Sequence, residues 1–147
     1  VLDVMNKLTR IIKPQKIFMG EKDFQQSFLV KKQLERIYKT KVIPCKTIRD
    51  RNNVALSSRN FLLNKSNLII AAKIYKKLVG IKKIIKNKKN ISSFLNLQKK
   101  ELKNNYKIKI DYLELRNIKN LKISSTNKSS RLFIAYYLNN VRLIDNL

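Results

Sequence analysis

Lys16-Ile17-Phe18-Met19-Gly20-Glu21-Lys22-Asp23-Phe24-Gln25-Gln26 is the stretch on which the reading of this chain turns. Ile17, Phe18 and Met19 form an apolar run of strand length, expected to be buried and bounded upstream by Pro14. Gly20 follows, a residue without Cβ, where backbone must come close to a ligand. Asp23 stands at the start of a helix, and Gln26 three residues on gives the spacing of a capping box. Helical periodicity continues to about Tyr38, with Phe24, Phe28, Leu34 and Ile37 predicted to face inward. Lys41 to Lys46 reads as a second strand. Strand, helix and strand in this order predict a parallel βαβ unit whose ligand crevice lies at the carboxyl ends of the strands. Gly20 to Gln26 fall at that crevice, where the Lys22 ammonium and the first helix N–H groups can face one anion.

Upstream, Val1, Val4, Met5, Leu8, Ile11 and Ile12 recur at helical spacing and Pro14 stops the helix. Downstream, periodicity vanishes from Thr47 to Asn60, a polar loop expected to join two domains, 1–47 and 48–147. It contains Ser57-Ser58-Arg59, two hydroxyls and a forked cation of the kind that holds phosphate oxygens in a fixed orientation. Asn64 is expected to cap a helix through Ile69, Ala72, Ile74, Tyr75 and Leu78, with Gly80 ending or bending it. A further helix is placed around Phe94 to Leu102, and a strand at Ile108 to Leu115. Arg131 to Tyr137 and Val141 to Asp145 then read as strands joined at Asn139-Asn140, residues that tolerate the positive φ of a tight turn. The second part is thus a small α+β domain with an antiparallel sheet.

In these segments the chain resembles the pantothenate synthetase family, the pantoate–β-alanine ligases of the nucleotidyltransferase superfamily. The family's aromatic-glycine-glutamate-lysine-aspartate-x-glutamine-glutamine run is matched by Met19 to Gln26, with Met19 in place of the aromatic. Its threonine-valine-arginine and serine-serine-arginine-asparagine segments appear as Thr47-Ile48-Arg49 and Ser57-Ser58-Arg59-Asn60, and its ending as Asp111 to Leu115 and Val141 to Asn146. The resemblance implies an α/β fold: the C-terminal part of a Rossmann-like nucleotidyltransferase domain, followed by a small α+β lid domain. It also implies ATP-dependent condensation of pantoate with β-alanine through a pantoyl adenylate, releasing pyrophosphate and AMP. By the same analogy Lys22, Ser57, Ser58 and Arg59 serve the ATP phosphates and Gly20 and Asp23 the ribose. Ile48 meets the adenine through its backbone, with Leu56 beside it in the nucleotide site, and Gln26 binds pantoate. Magnesium rides on the phosphates with no protein metal ligand, and the full-length protein is expected to be a homodimer. Where the family has aspartate-glycine, this chain has Asn52-Asn53; Asn53 is expected to take the positive φ in glycine's place.

The family also binds ATP through a His-x-Gly-His motif, whereas this chain has no histidine and begins with Val1. It is therefore read as roughly the C-terminal half, expected to be inactive alone and to expose the apolar faces of its first helix and strands. The net charge of +25, from 34 Lys plus Arg against 9 Asp plus Glu, raises a basic nucleic-acid-binding module as an alternative. Yet Lys outnumbers Arg 26 to 8, and Lys, Asn and Ile supply 62 of 147 residues. All three have A/T-rich codons, so compositional drift explains the whole pattern and nucleic-acid selection only its charge; no specific nucleic-acid partner is expected. A catalytically silent remnant is the third reading. Cys45, the single cysteine, cannot form an internal disulfide, fits a reducing cytoplasmic setting and is read as a small buried hydrophobe. The longest apolar run, Leu68 to Ala72, is too short to span a bilayer, so no membrane role is expected.

Overall fold

Strands β1 (Lys16–Gly20) and β2 (Lys41–Cys45) run parallel, with Lys16 opposite Lys41 and Gly20 opposite Cys45, in the computed structural model, which describes residues 1–147. Helix α2 (Phe24–Ile37) makes the crossover that parallel pairing requires. Helix α1 (Leu2–Ile12) precedes them and ends where Lys13 turns left-handed at φ 50°, its N–H on the Thr9 carbonyl, with Pro14 barring continuation. These elements make up the first of two units, Val1–Thr47; the second is Ile48–Leu147.

The core of the first unit is small. Val30, Leu34 and Val42 are buried, ringed by the partly buried Leu2, Met5, Ile17, Met19 and Tyr38. Its two buried threonine hydroxyls are satisfied: Thr9 donates to the Met5 carbonyl at 2.7 Å and Thr40 to that of Pro14 at 2.6 Å. Several expectations are corrected here. The inward face of α2 runs through Ser27, Val30 and Leu34, and Ile37 points to solvent. β1 is not buried: only Ile17 and Met19 are partly covered, and Phe18 on the other face is 66% exposed. α1 turns Leu2, Met5 and Thr9 inward and, as expected, leaves Val1, Val4, Leu8, Ile11 and Ile12 uncovered. Cys45 is exposed at the carboxyl end of β2, not buried.

The second unit begins with a loop and a short 3-10 turn (Ser58–Leu62), followed by helices α3 (Lys65–Ile84) and α4 (Ile91–Tyr106). Both helices are capped as their sequences suggest, Asn64 accepting from the N–H of Asn67 at 2.8 Å and Asn90 from that of Ser93 at 3.0 Å. α3 does not end at Gly80. It continues to Ile84, because Ile81, one turn beyond Leu78 on the buried face, keeps the helix anchored. Strands β3 (Lys109–Asn117), β4 (Ser130–Leu138) and β5 (Val141–Asn146) form an antiparallel sheet in the order β3-β4-β5. Asn139 turns the β4–β5 hairpin at φ 51°. Leu113, Leu115, Leu132, Ile134, Leu138 and Leu143 from the sheet join Ile74, Leu78 and Ile81 of α3 and Leu95 and Leu102 of α4 in one core. The architecture is a parallel Rossmann-like strand–helix–strand unit and a small α+β unit with a three-stranded antiparallel sheet.

Candidate functional site

At the carboxyl end of β1 the chain leaves Gly20 in ordinary extended geometry (φ −67°, ψ 132°) and makes one 3-10 turn, Glu21–Asp23, before α2. A Cβ at Gly20 would meet nothing within 4 Å, so the backbone there does not demand glycine and the missing side chain leaves open space. Lys22 and Asp23 pair at 3.1 Å, their side chains 18% and 42% exposed. An ion pair whose carboxylate partner is this exposed contributes about 0–1 kcal/mol. The capping box expected of Asp23 and Gln26 is not formed. Asp23 is the N-cap residue, but its carboxylate turns to Lys22 and the N-terminus of α2 has no side-chain cap. Helix N–H groups with their partial positive charge therefore lie beside Lys22. Gln26, in the first turn of α2, is exposed. This unit thus brings Gly20, Lys22, Asp23 and Gln26 to one strand end.

In the second unit Arg49 bridges to Ala55 and the Leu56 N–H donates to the Ile48 carbonyl at 3.0 Å, folding the loop back on itself. One Asp50 carboxylate oxygen accepts the N–H groups of Asn52 and Val54 at 2.8 and 2.9 Å, and Asn53 takes φ 66° as expected of glycine's replacement. The turn closes despite Asn52-Asn53. Ile48 and Leu56, joined by that hydrogen bond, are 72% and 51% exposed. Ser57 is extended and its hydroxyl accepts the Arg59 N–H at 3.3 Å; Ser58 and Arg59 are exposed. Arg59 donates to the Arg142 carbonyl at 3.3 Å, which aims the guanidinium while occupying one of its five N–H donors. Asn60 donates to the Ala55 carbonyl at 3.1 Å.

Sequence reasoning missed the group that supports this loop. Arg49 forks onto Asp145 at 2.7 and 2.8 Å, donates to the Asn53 carbonyl at 3.1 Å, and lies 4.3 Å from the centre of the Tyr75 ring on α3. The hydrogen bond to Asp145 raises the Arg49 pKa, with burial opposing it. The Tyr136 hydroxyl is pushed above its ordinary range, first by burial and then by the negative charge of Asp145. Both Arg49 and Asp145 stand in segments singled out by motif, but 96 residues apart, so no local spacing pairs them.

The sequence model of the pantoate-beta-alanine ligase family matches residues 1–147. The chain is 34% identical to the pantothenate synthetase of Flavobacterium psychrophilum over 98% of its own length and 52% of that protein's. It is 36% identical to that of Cytophaga hutchinsonii over 98% and 53%. The fold is similar to the crystal structure of pantothenate synthetase from Thermus thermophilus, with a TM-score of 0.86 at 27% identity, covering 98% of this chain and 53% of that one. It is also similar to the pantoate-beta-alanine ligase of Francisella tularensis complexed with beta-gamma ATP and beta-alanine, with a TM-score of 0.73 at 33% identity over 99% and 48%. The chain spans about half the length of the curated relatives it matches. With its whole sequence matched and both motif segments placed on the fold described above, the chain belongs to the pantoate–β-alanine ligase family.

Proposed function

We propose that this chain supplies the ATP-phosphate and pantoate groups of an enzyme that condenses pantoate with β-alanine. The observation that carries the reading is Lys22, beside an uncapped helix N-terminus at the carboxyl end of a parallel strand, in a chain matched throughout by the ligase family. In the first step the pantoate carboxylate attacks the α-phosphorus of ATP and pyrophosphate leaves with the broken bond's electrons. In the second the β-alanine amine attacks the adenylate carbonyl and AMP leaves. Negative charge shifts onto phosphate oxygens in the first step, so positioned cations and N–H groups supply the stabilisation. Lys22 and Arg59 provide the cations, and Ser57 and Ser58 the hydroxyl donors. Gly20 and Asp23 contact the ribose, Ile48 the adenine through its backbone, Leu56 lies in the same nucleotide site, and Gln26 binds the pantoate hydroxyl and carboxylate. Pantoate is already ionised near neutral pH, so the first step needs no general base.

Magnesium enters as part of the substrate, MgATP, carried on the phosphate oxygens. The reading places this segment, by the order of its motifs, in the C-terminal portion of an enzyme that the family resemblance makes a homodimer. The reducing cytoplasm fits the free Cys45. No helix is long and apolar enough to cross a membrane.

The test combines this chain with the complementary segment of a related synthetase and measures pantoate-dependent pyrophosphate release from ATP. Lys22→Ala should lower that rate by roughly a hundred- to a thousandfold. Release at a near-normal rate in the variant would remove Lys22 from the phosphate site.

A further inference from the structure

The loop that carries Ser57-Ser58-Arg59 is tied to strand β5 at two points, Arg49 upstream and Arg59 downstream. Upstream, the Arg49 guanidinium ties the loop to Asp145 by a two-pronged ion pair and, by a third hydrogen bond, to the Asn53 carbonyl inside the loop. Downstream, Arg59 hangs from the Arg142 carbonyl of the same strand. Asp145 is 8% exposed, and its Oδ1 also accepts the N–H of Asn146 at 2.7 Å, so its direction is fixed before Arg49 is bound. Tyr75 lies against the guanidinium. A planar fork held at both nitrogens cannot rotate without losing a hydrogen bond, which makes the pair a geometric clamp and not merely a charge contact.

We propose that Asp145, acting through Arg49, is a positioning residue that fixes the conformation of the Ser57–Arg59 segment. It touches no substrate. Resting on the function proposed above, it sets how the two hydroxyls and the Arg59 cation meet the phosphates of ATP. The role accounts for two features that the ATP-contacting residues leave unused: the arginine after Thr47-Ile48, and the aspartate in the ending Leu143-Ile144-Asp145-Asn146.

The experiment measures amide hydrogen exchange on the whole chain, following Leu56 and Asn60, whose N–H groups bond the Ile48 and Ser57 carbonyls. In Asp145→Asn both should exchange about ten- to a hundredfold faster, the loss expected of a charge-assisted contact, while amides of α3 and β4 stay unchanged. Arg49→Lys keeps the charge but not the fork, and should not restore protection. Because Asp145→Asn strands a partly buried cation and can unfold the unit, the double variant Arg49→Met with Asp145→Leu is the second arm. Replacing an ion pair by apolar groups of similar volume is often neutral or stabilising. The double variant should melt no lower than the parent and still show the faster exchange at Leu56 and Asn60. Parental protection of both amides in the folded variants would overturn the positioning role. MgATP titration, with Arg59→Ala as the benchmark, separates this from the function itself. Loosened amides with unchanged MgATP affinity would uphold the clamp and remove Ser57–Arg59 from the nucleotide site.

Discussion

Gln26 shows what one exposed side chain contributes when a strand end has placed it. Its amide both donates and accepts, so it can meet the hydroxyl and the carboxylate of pantoate together, whereas ATP has no carboxylate to offer it. In the reconstituted enzyme Gln26→Ala should raise the KM for pantoate well above its effect on that for ATP; a raised ATP KM beside an unchanged pantoate KM would reject the assignment. Tyr136 carries a pH-dependent contribution of a different kind. Its folded pKa is raised, so its contribution to stability is intact below the ordinary tyrosine value near 10 and is lost as pH climbs from there toward the folded value. Thermal melts of Tyr136→Phe and the parent should therefore differ by a constant amount below that pH, with the parent losing ground above it. A pH-independent difference across the alkaline range would contradict this. Lys22, Ser57, Ser58 and Arg59 could be singled out as candidate phosphate contacts because their types, matched together in order and spacing, resemble a family's motifs. The fate of Asp23 was not legible: a capping spacing states what a carboxylate can reach, and the neighbouring ammonium offered a competing partner. Nor was the Arg49–Asp145 pair, which exists only once β5 has folded beneath the loop.

The elements followed local rules wherever those rules were complete in themselves. Asn64 capped α3, Asn139 took the turn and Asn53 the left-handed position, because each of these choices is decided within a few residues. Gly80 failed as a stop signal for the converse reason. Leu78, Ile81 and Ile85 bury one stripe that runs past it, and tertiary burial outweighs the small propensity deficit of a single glycine. The same facts make a prediction about α3. Gly80 has no positive φ and a Cβ there would meet nothing within 4 Å, so Gly80→Ala should stabilise the chain by about 0.5–1 kcal/mol, seen as a higher denaturant midpoint with an unchanged slope. A lower midpoint would mean that the space beside Gly80 is occupied in solution. For α1, periodicity gave a helix and a stripe, and it was the partner segment implied by the family resemblance that led to the expectation of an open stripe.

For the molecule as a whole, two features oppose each other: a net charge of +25 and an apolar face on α1 carrying Val4, Leu8, Ile11 and Ile12. Charge repulsion keeps copies apart at low ionic strength, but at physiological salt its reach falls to about 8 Å, whereas apolar attraction is not screened. Self-association should therefore rise with salt, and light scattering across a salt series would record it. Nucleic-acid binding driven by compositional charge must move the other way, losing orders of magnitude in affinity between low and physiological salt and showing no preferred sequence, because counterion release is its only driving force. The pair Ile11→Lys with Ile12→Lys tests the assignment of the two effects to separate causes. Both side chains are exposed, at 74% and 66%, so the fold has little packing to lose. The variant should stay dispersed at high salt while binding nucleic acid at least as well as the parent. Association that falls with salt, or that persists in the double variant, would show that the α1 face is not its cause. Tight binding of one defined oligonucleotide at physiological salt would show that the basic composition has been selected for a partner and has not merely drifted.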